Sequence, residues 1–70
     1  MSEELRKENR VDALRRKYEA DISIAKAELE DYLESSVGGE EHPHILESMD
    51  ILVTELANAK EKLECLLDNF

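Results

Sequence analysis

Hydrophobic residues recur at helical spacing in two long segments of the chain. In the second segment the steps between apolar positions are 4-3-4-3-4-3-4, an uninterrupted heptad pattern through Ile45, Met49, Leu52, Leu56, Ala59, Leu63, Leu66 and Phe70. In the first segment the steps are 3-4-4-3-4-4, closer to an eleven-residue repeat, through Val11, Leu14, Tyr18, Ile22, Ala25, Leu29 and Leu33. Both spacings predict amphipathic helices. We call these two sets of positions together the seam.

A single stretch rich in turn-forming residues separates the two segments. Gly38 and Gly39 suit the left-handed backbone that ends a helix, and Pro43 suits the first turn of the next one. Ser2 is placed to cap the first helix. The sequence therefore predicts one all-α domain over residues 1–70, with helix 1 at about 3–35, a turn at about 36–42 and helix 2 at about 43–69.

Folding the chain back at the glycine pair brings the two apolar sets together in antiparallel order. Ala25 then faces Leu52 and Ala59 faces Tyr18, the alternation of small and large side chains that dense packing requires. Residues 6–17 carry six basic and two acidic groups, a net charge of +4. Their expected neighbours across the hairpin are acidic residues of helix 2, namely Glu61, Glu64 and Asp68. We therefore predict an antiparallel, coiled-coil-like helical hairpin.

Apolar residues beyond the seam indicate that the hairpin is not alone. Two helices sharing one seam form a thin core for 70 residues, and small scaffolds of this kind usually need further support. The predicted partner interface consists of Ala20, Ile24, Ala27, Leu46, Val53 and Leu67. These residues would bury a second stripe in a homodimeric four-helix bundle or against a helix of another protein. The alternative is that they only broaden the intramolecular face.

Composition narrows the classes of function. The 18 acidic and 9 basic residues give a net charge of −9, which argues against direct binding to nucleic acid or anionic lipid. The longest apolar run has three residues, Ile51 to Val53, so no membrane span is expected and a cytoplasmic location is the default expectation. Basic residues 6–17 could alternatively form a docking band for an acidic partner, although such a run is more often a solvated face.

No arrangement of residues in the sequence indicates catalysis or a cofactor. Glu41 and His44 have the Glu-x-x-His spacing of di-metal bundles, but they flank a proline at a turn, and exposed histidines are the simpler interpretation of His42 and His44. Cys65 has no neighbouring base that would activate it. We therefore expect no enzymatic activity, no cofactor and no functional metal.

The leading functional hypothesis is a small acidic adaptor that acts by self-association or by binding a partner helix. In outline the architecture resembles the Rop-type RNA-binding dimers and the small co-chaperones of type III secretion, although the basic RNA-contacting face of the former has no counterpart here. That resemblance implies a chaperone or regulator of a helical partner as one alternative. Another is an acidic nucleic-acid mimic that inhibits a basic protein, with its charge near the turn on Glu28, Glu30, Asp31, Glu34, Glu47, Asp50 and Glu55.

Overall fold

The protein folds as two α-helices that pack side by side, in a computed structural model that describes residues 2–34 and 43–70. Helix α1 spans Glu3–Glu34 and helix α2 spans Pro43–Asn69. Within the described ranges the two helices are the only regular elements, and contacts join them along their length. The predicted all-α hairpin is confirmed, whereas the predicted turn at 36–42 lies outside the described residues.

Hydrogen bonds between nearby residues are present at the first turn of α1 and at the last turn of α2. The backbone N–H of Leu5 donates to Ser2 Oγ over 3.2 Å, which confirms Ser2 as the N-cap of α1. Glu3 and Glu4 place negative charge in the first turn of α1, where the helix dipole favours it. At the other end of the chain, Asn69 Nδ2 donates to the carbonyl oxygen of Cys65 over 2.7 Å, and the backbone N–H of Phe70 donates to the carbonyl oxygen of Leu66 over 3.0 Å.

The core lies between the helices and is small. Only Ala25, Leu52, Ala59 and Leu66 are buried among the described residues. Both alanines that the sequence places opposite larger residues are in this set. Seam residues on either side of them are half-buried, namely Val11, Tyr18, Ile22, Leu29, Ile45, Met49, Leu56 and Leu63. The core therefore follows the predicted seam over most of its length.

Three predicted seam residues are exposed instead. Leu14 is 40% exposed, Leu33 is 71% exposed and Phe70 is 74% exposed. Phe70 follows the last residue of α2, at the end of the hairpin away from the turn. This end, which we call the open end, also carries the first turns of α1, where every residue from Ser2 to Arg10 is exposed.

The less exposed positions of α1 fit a heptad repeat better than the predicted eleven-residue one. Its half-buried face includes Arg15 beside Tyr18, and it reaches Tyr32, which is 37% exposed, before Leu33. The resulting positions are 11, 15, 18, 22, 25, 29 and 32, with steps of 4-3-4-3-4-3. Two helices stay in contact over many turns only when their repeats match, and α2 is heptad throughout. Arg15 is half-buried at this point of the repeat, and its guanidinium binds Asp12 and Glu19.

Candidate interaction surface

The largest apolar side chains outside the seam form a row along α2. Leu46, Val53 and Leu67 are 56%, 51% and 56% exposed, respectively. They are separated by seven and fourteen residues, which places them on one face of the helix, and Lys60 occupies the position between the last two. Each of the three follows a seam residue directly, so the row borders the seam. We call these four residues the α2 row.

The predicted interface residues of α1 lie elsewhere on the hairpin. Ala20 is two residues from both Tyr18 and Ile22, and so lies on the side of α1 opposite the seam. Ile24 is 57% exposed, and Ala20 and Ala27 are exposed as well. Ile24 lines an open groove of about 300 Å³ with Asp21 of α1 and with Asn58 and Lys62 of α2. All six predicted interface residues are therefore accessible.

The six residues do not form one surface. Leu67 lines a groove with Asp12 and Arg15 of α1, whereas Ile24 shares its groove with Asn58. Asn58 and Leu67 are nine residues apart, which corresponds to about 180° around α2. The α2 row and the Ile24 group consequently lie on opposite flanks of the hairpin. Contact of either group, the α2 row or Ala20, Ile24 and Ala27, with a partner stays a prediction. A single straight helix could not contact both groups at once.

Grooves at the open end of the hairpin were not anticipated from the sequence. One groove of about 650 Å³ has an apolar floor that includes Val11, Leu14, Leu66 and Phe70, and a charged rim that includes Arg10. A second groove of about 610 Å³ lies between Leu67, Phe70 and α1. Phe70 lines both. The length of α1 could have revealed these grooves. Its first two turns come before Val11, the first seam residue, and so extend along α2 without a predicted apolar contact.

Basic residues of α1 pair within their own helix rather than across the hairpin. Arg15 bridges Asp12 and Glu19, and its Nη1 lies 2.8 Å from Glu19 Oε1. Arg16 also binds Asp12, with Nε 2.9 Å from Oδ2, and Lys17 Nζ lies 3.0 Å from Asp21 Oδ2. Across the described parts of the chain every ion pair joins residues three or four apart, so the predicted pairing with Glu61, Glu64 and Asp68 is wrong.

A cation–π contact joins the two helices. Lys62 Nζ of α2 lies 5.9 Å from the centre of the Tyr18 ring of α1. A cation at this distance from an aromatic face is attracted by the ring quadrupole, by about 0.5–1 kcal/mol at an exposed site. Tyr18 thus contacts α2 both as a half-buried seam residue and through Lys62.

The ion pairs around Asp12 change its acidity. The hydrogen bond from Arg15 lowers the pKa of Asp12 below its ordinary value of 3.8, and the charge of Arg16 adds to this, while burial acts in the opposite direction. The same hydrogen bond raises the pKa of Arg15. Because the folded pKa of Asp12 is depressed, its stabilising effect is present above 3.8 and is lost as pH falls through the lower folded value.

We predict that Asp12→Asn lowers the melting temperature at neutral pH, and that the difference becomes smaller at a pH well below 3.8, as the native carboxyl takes up a proton. The measurement is a thermal melt of both proteins, followed by circular dichroism at each pH. Glu8→Gln, which removes an exposed carboxylate elsewhere on α1, is the control for the change in net charge. An equal difference at both pH values would contradict the role given to the Arg15 and Arg16 pairs.

Among residues 2–34 and 43–70, the side chains that could bind a metal or take part in catalysis do not come together in one site. No cluster of three or more His, Cys, Asp or Glu side chains there could hold a metal ion. His44 Nδ1 lies 3.9 Å from Glu47 Oε2, whereas His42 and Glu41 are outside the described ranges. Cys65 is a free, exposed thiol, with Asn69 Nδ2 3.7 Å from its Sγ. These groups are separate from one another on the surface.

The acidic residues predicted as a nucleic-acid mimic are exposed without exception, from Glu28 near the end of α1 to Glu55 in α2. Exposure is what both a solvated surface and a mimic require, so the mimic stays a prediction. Neither of the described helices combines the length and apolar character needed to cross a membrane. Comparison of the chain with protein-family models, with curated protein sequences and with solved structures finds no match.

Proposed function

We propose that the protein is a small, non-enzymatic helical interaction protein that buries the α2 row against another helix. That helix belongs either to a second copy of the chain, in a four-helix bundle, or to a different protein. The observation that carries the proposal is the α2 row itself, in which three large apolar side chains are each more than half exposed on one face. Clustered apolar exposure of this kind marks interaction sites on soluble proteins.

The total exposed surface supports the same conclusion. The chain exposes 5762 Å². A compact monomer of this mass exposes about 4,450 Å² by the usual scaling of surface with mass. The difference of about 1,300 Å² exceeds the roughly 800 Å² that each partner buries in a standard protein interface. Two helices lying side by side thus leave more of the chain exposed than a compact domain would.

Chemical labelling of one cysteine in cells tests the proposal. Val53→Cys in a Cys65→Ser background places a single thiol in the α2 row. Thr54→Cys in the same background is a matched control, because Thr54 is also β-branched and exposed but lies one residue further around the helix. If a helix covers the row, a maleimide added to cells that naturally express the protein labels Cys at 53 at least tenfold more slowly than Cys at 54. Equal labelling rates would overturn the proposal.

A further inference from the structure

We infer that the helix covering the α2 row is α2 of a second copy of this chain, running antiparallel about a two-fold axis at Ala57. This inference rests on the proposed function and names its partner. The evidence is a second heptad-spaced set of positions on α2, all exposed, that borders the seam. Its members, with steps of 4-3-4-3-4-3, are Leu46, Asp50, Val53, Ala57, Lys60, Glu64 and Leu67.

When this set is read in either direction, five of its seven positions match in type, and the exceptions are Val53 and Lys60, which exchange places. A leucine stands at each end, an acidic residue stands next to each leucine, and Ala57 is the central member. A two-fold interface requires a surface that complements itself, so that each residue meets its counterpart on the reversed copy. Antiparallel pairing therefore joins Leu46 to Leu67 of the other copy at both ends of the interface.

Charge favours the antiparallel arrangement over the parallel one. Parallel pairing in register would place Lys60 beside Lys60 of the other copy, and would do the same for Asp50 and for Glu64. Antiparallel pairing places the aliphatic stem of Lys60 against Val53 of the other copy. The Lys60 ammonium then lies about 5 Å along the axis from Asp50 of that copy, given a rise of 1.5 Å per residue.

Two like-charge pairs, related by the axis, remain in the antiparallel arrangement, because Asp50 of each copy meets Glu64 of the other. Lys60 is one turn from Glu64 on its own helix and faces Asp50 across the interface, so each of these acids has a cation nearby. At the centre, the small side chain of Ala57 allows the two helix backbones to approach closely.

Disulfide trapping tests the position of the axis. In the Cys65→Ser background, oxidation of Ala57→Cys is expected to give mainly covalent dimers, since residues at a two-fold axis face each other. Thr54→Cys, three residues from the axis, places its two thiols about 9 Å apart along the helices and is expected to give few. A mixture of Leu46→Cys and Leu67→Cys chains is expected to cross-link to each other more than either does alone. A dimer that cross-links through Thr54→Cys and not through Ala57→Cys would overturn the inference.

Sedimentation equilibrium of the purified chain completes the test. Ala57→Asp places two carboxylates across the axis and is expected to weaken the dimer by roughly a hundredfold. Thr54→Asp, which alters charge and helix propensity comparably at an exposed site, is expected to change it less than about threefold. Circular dichroism checks that both variants stay helical. A chain that is helical but monomeric at millimolar concentration would overturn the inference. Protection of Cys at 53 in cells would then leave the proposed function standing with a different partner.

Discussion

Leu52→Asp is expected to abolish the cooperative unfolding transition of the hairpin. Leu52 is 6% exposed and is the largest apolar residue near the middle of the core. A carboxylate placed there loses its water and gains no cation, at a cost of about 3–5 kcal/mol. Stabilities of roughly 4–10 kcal/mol are typical for 70 residues, so this one change removes most of the folding free energy. Urea titration followed by far-UV circular dichroism measures the effect.

The matched control for this prediction is Ile51→Asp. Ile51 is the adjacent residue, has a comparable volume and is 59% exposed. The substitution makes the same change of charge and helix propensity outside the core, and we expect it to alter the free energy of unfolding by less than about 1 kcal/mol. If Leu52→Asp unfolded as cooperatively as Ile51→Asp, and at a similar urea concentration, the seam would not be the source of the hairpin's stability.

Ala25→Leu is expected to lower the melting temperature by roughly 10 °C. Ala25 is 3% exposed, the most buried residue of the core. The isobutyl side chain of leucine, three carbons larger than the methyl group of Ala25, has no space between the helices. The backbones must therefore separate, or the neighbouring side chains must leave their preferred rotamers. Overpacking of this kind costs about 1–3 kcal/mol. A thermal melt at fixed protein concentration is the measurement.

Ala13→Leu provides the comparison for overpacking. Ala13 is exposed on the same helix, and alanine and leucine have similar helix propensities. The same three added carbons therefore meet solvent at position 13 and a packed interface at position 25. We expect Ala13→Leu to shift the melting temperature by no more than a few degrees. A fall as large as that of Ala25→Leu would show that helix propensity, rather than the closeness of the two helices, sets the effect.

The heptad spacing of α2 was sufficient to predict its buried face, whereas the spacing of α1 was misleading. On α1 the choice between Leu14 and Arg15 decides the repeat, and counting only apolar residue types selects the leucine. Arg15 nevertheless has a long aliphatic stem, and its guanidinium stays at the surface between Asp12 and Glu19. Its position in the repeat depends on the need of α1 to follow α2, which is a property of the pair and is absent from either helix alone.

The sequence was sufficient to predict which interface residues are exposed. It was not sufficient to predict that they lie on two different flanks of the hairpin. Leu46, Val53 and Leu67 share a face because of their spacing, and the sequence contains that information. The separation of Leu67 from Ile24, by contrast, depends on how each helix is rotated about its own axis once the seam is closed. Replacing Leu14 with Arg15 in the seam changes that rotation for α1. The sequence therefore indicated which residues remain exposed but not which of them a single partner could reach.

The placement of the ion pairs has a consequence for behaviour in the cold. The salt bridges of α1 stabilise that helix by itself, and short-range helix formation is favoured at low temperature. Contact between the two helices depends instead on burial of apolar side chains, whose stabilising effect weakens on cooling. On cooling, the helical structure of α1 thus becomes more stable while the contact between the helices becomes less stable. Cooling would therefore weaken the contact between the helices while α1 keeps its helical structure. Heating would unfold the helices and separate them together.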